Sequence, residues 1–406
     1  KYYFNPSFLF NLGEKSQLIV EADYLRNDFT PDFGIGSITH ADLSYSLNDK
    51  VGRNVFFGTD WQYQNVEQAS TNITFNHQLS TNWTLNAVAS YQNYTKDYFS
   101  SERVQWGYIK NNASVDPTRL AWVRPFNKTY NEQNYGSAQV NINGEFNTGK
   151  INHKVLFGAD ADYSQADSYA YTLSSTNSVL YLDDSSTWGN VAMPTSTANN
   201  KNRINTRRIG AYAQDFISLT KQWKVIAGLR WSYIENMPTI NTNFVTGAKK
   251  LTDNTATSDQ AFSPKVGVVY MPNDNMSVFA TYTNSFAANT GETSSDLSSI
   301  NTNGTAQDVL AQVQSISRQG IKPTTIDQYE IGLKKNIWDN ALAFNISLYQ
   351  IDYNNYYQSY WYQNASGVVV TPDSNLKEFA GKMSSRGVEL NITEKKKKNI
   401  SIIGGV

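Results

Sequence analysis

The chain alternates between apolar and polar positions. Between Trp83 and Tyr91 the odd positions are Trp83, Leu85, Ala87, Ala89 and Tyr91, and the even positions are Thr84, Asn86, Val88 and Ser90. One apolar face repeating at period two predicts a strand with one side in an apolar medium. The pattern returns in Ala138, Val140, Ile142 and Phe146 against Gln139, Asn141, Asn143 and Glu145. It returns in Trp223, Val225, Ala227, Leu229, Trp231 and Tyr233 against Lys224, Gly228, Arg230 and Ser232. A further case sets Leu342, Phe344, Ile346 and Leu348 against Ala343, Asn345 and Ser347. Such segments predict strands of about 10 residues or more, the length a tilted strand needs to cross a bilayer. Ordinary globular strands are about half as long.

Connection lengths alternate too. Tight turns are expected near Gly13-Glu14, Ser80-Thr81-Asn82, Thr148-Gly149-Lys150, Thr220-Lys221, Pro272-Asn273-Asp274, Asp339-Asn340 and Lys396-Lys397. Long polar connections are expected over 27–63, 99–132, 167–205, 237–260, 288–324 and 355–382. Short turns at one end and long loops at the other predict an all-β fold, a transmembrane antiparallel up-and-down β-barrel, with about 14 strands in this chain. Trp83, Trp223 and Trp338 each sit beside a tight turn, and their outward parity predicts an interfacial girdle. Near-helical spacing of Val309, Leu310 and Val313 predicts a short helix over 306–313.

Composition agrees. Aromatic residues make up 13% of the chain and charged residues only 17%, against about 25% in a typical globular protein. Mean hydropathy is nevertheless −0.50, and no apolar run approaches the ~20 residues of a spanning helix. A barrel that is apolar outside and wet inside gives this average. A net charge of −1 gives no pull toward nucleic acid, and the absence of cysteine excludes disulfides and thiolate metal sites. No leader segment is visible: the chain opens on Tyr2, Tyr3 and Phe4 and stops within the strand-like run at 400–406, so a fragment of one barrel domain spanning 1–406 is expected.

Catalytic chemistry is not indicated. His40, His77 and His153 are far apart and fall in no zinc-binding pattern. No nucleophile elbow or phosphate-cradling glycine loop is present. The expectation is therefore no enzyme, no catalytic residues and no metal held by protein ligands, with His77 and His153 as solvated wall residues. Binding fits better. Aromatics gather where strands meet long loops, at Tyr91, Tyr94, Tyr98, Phe99 and Trp106, at Tyr163, Tyr169, Tyr171 and Tyr181, and at Tyr353, Tyr356, Tyr357, Tyr360, Trp361 and Tyr362. Rings with phenol donors suit an amphiphilic ligand the size of a small peptide; equally, these residues can be girdle and loop packing.

Several short motifs, in this order, resemble the barrel of TonB-dependent siderophore receptors of the ferrichrome and ferrioxamine type. They are Thr30-Pro31-Asp32-Phe33-Gly34, Gly158-Ala159-Asp160, Tyr212-Ala213-Gln214-Asp215, Gly228-Leu229-Arg230, Ser263-Pro264-Lys265-Val266-Gly267, Tyr329-Glu330-Ile331-Gly332-Leu333-Lys334 and Arg386-Gly387-Val388-Glu389-Leu390. The resemblance implies a barrel of about 22 strands in the whole protein, filled by an N-terminal plug absent from this sequence. It implies a Gram-negative outer-membrane location among lipid and lipopolysaccharide, and uptake powered by the TonB-ExbB-ExbD complex. Iron would arrive as a ferric siderophore, already enclosed by the chelate. The resemblance favours Tyr98, Phe99, Trp106, Tyr169 and Tyr171 as ligand contacts.

Parity turns Arg230, Lys224, Glu330, Lys334 and Glu389 inward, as it must where an Arg or Lys on the lipid face costs about 2–4 kcal/mol at mid-membrane. Arg230, Glu330 and Glu389 are candidate partners for a plug. Alternatives are an importer of a glycan, a peptide or cobalamin, or a passive porin-like barrel.

Overall fold

The computed structural model describes residues 1–42, 44–174, 178–251, 256–289, 293–294, 308, 311–312, 319–337, 342–359, 362–363, 369–370, 376–395 and 401–405. The wall starts with β1, in two pieces at Tyr2–Phe4 and Ser7–Asn11 around Pro6, and β2 (Ser16–Phe29). It continues through β3 (Tyr63–Ser80), β4 (Trp83–Ser101), β5 (Phe126–Thr148), β6 (Ile151–Leu173), β7 (Ser196–Ser218) and β8 (Trp223–Asn236). Then come β9 (Thr257–Asn273), β10 (Met276–Ala287), β11 (Thr324–Ile337), β12 (Leu342–Ser359), β13 (Leu376–Lys395) and β14 (Ser401–Gly405). Each pairs antiparallel with its neighbour in sequence. Sequential antiparallel pairing is what short turns permit, and it satisfies the backbone groups that lipid cannot.

The two faces follow the alternation. Val140, Phe157, Leu229, Phe262 and Val388 are exposed on the outer face, where lipid would cover them. The opposite face carries Gln139, Asp160, Tyr212 and Arg230, joined by hydrogen bonds. Two inward notches explain glycines. A Cβ at Gly158 would overlap the Tyr212 ring, and one at Gly210 would overlap the Arg230 guanidinium. Each glycine lets the neighbouring strand's long side chain lie flat on the wall.

At the short-turn end, Gly13 and Gly149 take positive φ values of 78° and 64°, the left-handed region that a Cβ disfavours. Trp83 covers Gly144 on the neighbouring strand β5. Trp223 is exposed and packs on Tyr270, with centroids 4.5 Å apart. Both sit as a girdle requires; Trp338 and the turns at Asp339-Asn340 and Lys396-Lys397 lie outside the described residues. His153 is more than a solvated wall residue. Its ring stacks on Phe146 at 4.9 Å and its Nδ1 lies 2.6 Å from Asp215. His77 meets the Ser16 hydroxyl at 2.8 Å.

The long-loop end corrects the expected boundaries. β5, β6 and β7 each run 23 residues, about twice the bilayer requirement. They climb well past the apolar band because each continues to find a partner: β5 and β6 stay in register from Thr148↔Ile151 to Tyr130↔Tyr169. Beyond them, parts of three long connections fold together. A five-stranded sheet runs in the order Ser178–Tyr181, Ala121–Arg124, Gln105–Gly107, Ser37–Thr39 and Tyr45–Leu47. Its core is Ile38, Phe57, Val104, Trp106, Trp122, Leu180 and Leu182. Gly36, at φ 73°, runs against the Val104 backbone, where a Cβ has no room. Of the helix expected over 306–313, the described residues 308, 311 and 312 are helical.

Candidate functional site

The lumen wall of β4, β5 and β6 holds two adjoining cavities. The upper, nearer the long loops, has a volume of ≈ 340 Å³ and is lined by Gln92, Tyr94, Gln133, Tyr135, Ser164 and Ala166, with Asn134 and Gln165 at its edge. The lower, ≈ 550 Å³, shares Tyr135 and adds Ser90, Ser137, Gln139, Asp160, Asp162, Tyr212 and Arg230. These residues meet because the strands are in register: Gln92 faces Tyr135, and Tyr135 faces Ser164. Period two then repeats the contact two residues on, at Tyr94, Gln133 and Ala166.

The floor of the lower cavity is locked. Arg230 donates from both terminal nitrogens to Asp160, at 2.7 and 2.9 Å, and from Nε to the Ser232 hydroxyl at 2.8 Å. Its guanidinium lies 5.3 Å from the Tyr212 ring centroid. The Tyr212 hydroxyl donates to Asn141 at 2.5 Å and accepts from Gln139 at 2.7 Å. Arg208 donates to Asp162 at 3.0 Å. Each cation here has its own carboxylate, so the floor is charged in detail and neutral in sum.

Above that floor the polarity of the wall reverses. On β3 to β8 the inward positions above the Arg208–Asp162 pair are amides, hydroxyls, phenols and a few aliphatic side chains, with Lys96 the one charged residue among them. Lys96 lies over the Tyr98 ring at 5.8 Å. The outward positions of the same stretch carry Glu67, Asp97, Lys128, Glu132, Asp167, Lys201, Arg203, Arg207 and Glu235. Most are paired: Lys128 with Asp97, Arg207 with Glu235, and Asp167 with both Lys201 (3.1 Å) and Arg203 (2.7 Å). Asp167 is almost fully buried. Burial alone would raise its pKa, but hydrogen bonds and charge from Arg203 and Lys201 hold it below the usual carboxylate range.

The five aromatic candidates for ligand contact do not share one surface. Tyr98 has inward parity but is 8% exposed, and its hydroxyl donates to the Ser101 carbonyl at 3.3 Å. Phe99 has outward parity, is 1% exposed and packs edge-on against Trp61 at 5.0 Å. Trp106 is wholly buried in the loop sheet, its Nε1 donating to the Ile35 carbonyl at 2.9 Å. Tyr169 and Tyr171 stand on the outer face. Tyr169 packs on Tyr130 at 5.2 Å and Phe244 at 5.8 Å, and Lys128 lies 5.5 Å from the Tyr171 ring. The aromatics that line the two cavities are instead Tyr94, Tyr135 and Tyr212. Parity counted up from Val140 and Ile142 would have placed Tyr135 inward; aromatic clustering alone passes over it. Tyr360 and Trp361 lie outside the described residues.

Arg230 faces the lumen as expected, but its guanidinium is engaged by Asp160. Glu330 and Glu389 also hold inward register, opposite Thr281 and Ser347 respectively. Lys224 and Lys334 lie 5.7 and 5.4 Å from the Phe216 and Phe279 rings. Among the described residues, no group of His, Cys, Asp or Glu could hold a metal ion.

A family model described as TonB dependent receptor-like, beta-barrel matches residues 3–399. The chain belongs to this family. Its members are receptors and transporters, not enzymes. Similar proteins include the catecholate siderophore receptor Fiu of Escherichia coli K12, 23% identical over 381 residues, which cover 87% of this chain and 48% of Fiu. The metal-pseudopaline receptor CntO of Pseudomonas aeruginosa is 22% identical over 404 residues, covering 98% of this chain and 50% of CntO. Among solved structures, the closed form of Fiu superposes with a TM-score of 0.73 at 20% identity, over 98% of this chain and 55% of Fiu. The ferripyoverdine receptor of the Pseudomonas aeruginosa outer membrane, bound to ferripyoverdine, also gives 0.73, at 18% identity, over 99% of this chain and 48% of the receptor. The likeness carries the fold. The chain spans about half the length of the curated relatives it matches.

Proposed function

We propose that this chain is barrel wall of an outer-membrane receptor that binds a ferric siderophore from the extracellular side and imports it with energy from the TonB-ExbB-ExbD complex. The observation that carries this reading is the stacked pair of lumen cavities, open to phenols and amides from β4, β5 and β6. Donors, acceptors and ring faces at this spacing hold an amphiphilic chelate whose iron is already coordinated, so the wall supplies recognition and no metal ligand. Relatives named as siderophore receptors support it. The location is the outer membrane of a Gram-negative bacterium, with lipid and lipopolysaccharide around the apolar band. Arg230, Glu330 and Glu389 are the proposed lumen contacts of a plug.

The test is iron-55 uptake by cells with and without the gene, across a panel of ferric siderophores. Uptake of at least one complex should depend on the gene and disappear in a strain lacking TonB. Gene-independent uptake of every complex overturns the reading. A second reading is import of an uncharged glycan, favoured by the same amide and hydroxyl lining; it predicts gene-dependent growth on an oligosaccharide instead.

A further inference from the structure

The lower outer face carries one polar feature that neither the barrel nor its cargo accounts for. On β3 to β8, below the charged upper belt, Asp215 is the one carboxylate with outward register. It meets the His153 ring, whose Nδ1 lies 2.6 Å from Oδ2. The other oxygen, Oδ1, is shielded from solvent and has no donor. The protein thus gives one partner to a group that accepts about four hydrogen bonds. The second ring nitrogen of His153, Nε2, is neither bonded nor buried among the described residues. Phe146 stacks on the ring at an interplanar angle of 9° and fixes its direction. The level is that of the girdle. His153, Ile217 and Val225 form one outward row, and Trp223 stands two residues nearer the short turn. Trp at that height marks the headgroup region. The charges next in sequence and register, Lys154 and Glu145, turn inward toward each other.

We infer that His153 and Asp215 form a headgroup site in the periplasmic leaflet for a zwitterionic phospholipid with a primary ammonium, of the phosphatidylethanolamine kind. In its charged form the ring donates from both nitrogens, from Nδ1 to Asp215 and from Nε2 to a lipid phosphate. The ammonium of the same headgroup donates to the open edge of the carboxylate, whose side chain is 26% exposed. Two opposite charges of the lipid then meet two opposite charges of the wall, and the sum is zero. A choline headgroup has the same charges but no N–H to donate. A glycerol headgroup leaves its phosphate charge unmatched at this pair. Lys150 and Lys221, in the adjoining turns, by themselves favour such an anionic lipid. Selectivity for the ethanolamine type is therefore the signature of the His153–Asp215 pair. The inference rests on the membrane placement proposed above and is independent of the cargo.

The experiment uses the full-length receptor purified from outer membranes. It is offered equal amounts of phosphatidylethanolamine, phosphatidylcholine and phosphatidylglycerol with the same acyl chains, and retained lipid is counted by native mass spectrometry. The ethanolamine lipid should be retained over each of the others by at least about threefold, the size of one partly exposed charge pair. Asp215→Asn and His153→Gln should each abolish that preference. His77→Gln, at an outward ring that meets the Ser16 hydroxyl and no carboxylate, should leave it unchanged. Equal retention of the three lipids, or a preference that survives Asp215→Asn, overturns the inference. So does a preference for phosphatidylglycerol that is lost in Lys150→Gln or Lys221→Gln, which assigns the binding to the turn lysines. A receptor that enters vesicles of none of the three lipids overturns the membrane placement itself, and the headgroup site falls with it. Circular dichroism confirms that each variant keeps its β-sheet before its lipid is counted, and the wild-type comparison needs no variant.

Discussion

The lower and upper halves of this wall are built from the same strands, yet they sort their side chains in opposite ways. In the lower half the outer face is apolar at mid-height, with Val140, Phe157 and Leu229 exposed; the Asp160–Arg230 and Asp162–Arg208 pairs point inward, and the outward pair of His153 with Asp215 sits close to the short turns. In the upper half the charges stand outside, as Asp97–Lys128, Asp167 with Lys201 and Arg203, and Arg207–Glu235. There the inside carries amides, hydroxyls and phenols. Alternation is identical in both halves; only the medium outside changes. Hydrocarbon forbids charge on the lower outer face, and water or headgroups permit it above. Freed from that constraint, the upper lumen can be shaped for a ligand.

The strongest challenge to the comparison is to put one charge on each outer face. Leu229→Arg at the lipid face should destabilise the barrel by about 2–4 kcal/mol, read as a lower denaturation midpoint in lipid vesicles. Ile209→Arg, outward on β7 beside Arg207, should cost far less if the polar belt already begins at that level. Equal losses would erase the boundary between the halves.

The buried carboxylate of the upper face comes next. Asp167→Asn leaves Lys201 and Arg203 facing each other without a counter-charge, and should cost about 2 kcal/mol, below the usual figure for a fully buried pair because both cations are partly exposed. The sign with pH follows from the lowered pKa of Asp167. Its contribution is complete above the ordinary carboxylate pKa of about 4 and is lost as pH falls through the lower folded value. Hydrogen-exchange protection factors at the upper ends of β6 and β7, taken relative to the intrinsic rate at each pH, should therefore fall on acidification in the wild type and stay flat in Asp167→Asn.

Two tyrosines sharpen the contrast between faces. Tyr135→Ala, on the lumen side, should weaken ligand binding about tenfold, the size of one lost aromatic contact with its hydrogen bond. Tyr169→Ala, on the outer face, should leave Kd within about twofold. Fluorescence titration of both variants decides it, and a reversed order would move the ligand to the outer surface. The smallest effect expected is the coupling between Arg230 and Asp160. A double-mutant cycle of Arg230→Gln and Asp160→Asn should give about 1 kcal/mol or less, since the arginine side chain is 39% exposed and water screens the pair.

Much of the architecture could be read from the chain. Parity named the outward faces around Trp83, Val140, Leu229 and Leu348, and the inward turn of Arg230, Glu330 and Glu389. Turn chemistry at Gly13 and Gly149 marked the short end. These are local properties, fixed by the two-residue repeat and by backbone conformations that only certain residues adopt. The aromatic candidates illustrate the opposite case. Trp106, Phe99 and Tyr169 share composition and neighbourhood with Tyr94 and Tyr135, yet they ended in a loop-sheet core or on the outer face.

The sequence by itself determined the strand repeat, the lipid-facing stripe and the family, because each depends on residues close together in the chain. Only the tertiary structure decided that the strands climb far past the apolar band and that three distant connections share one core. It alone decided that Tyr94, Tyr135 and Ser164 converge while the charges stand outside. Those outcomes depend on register between strands separated by long loops, and register is settled by the summed pairing of whole strands rather than by any single segment.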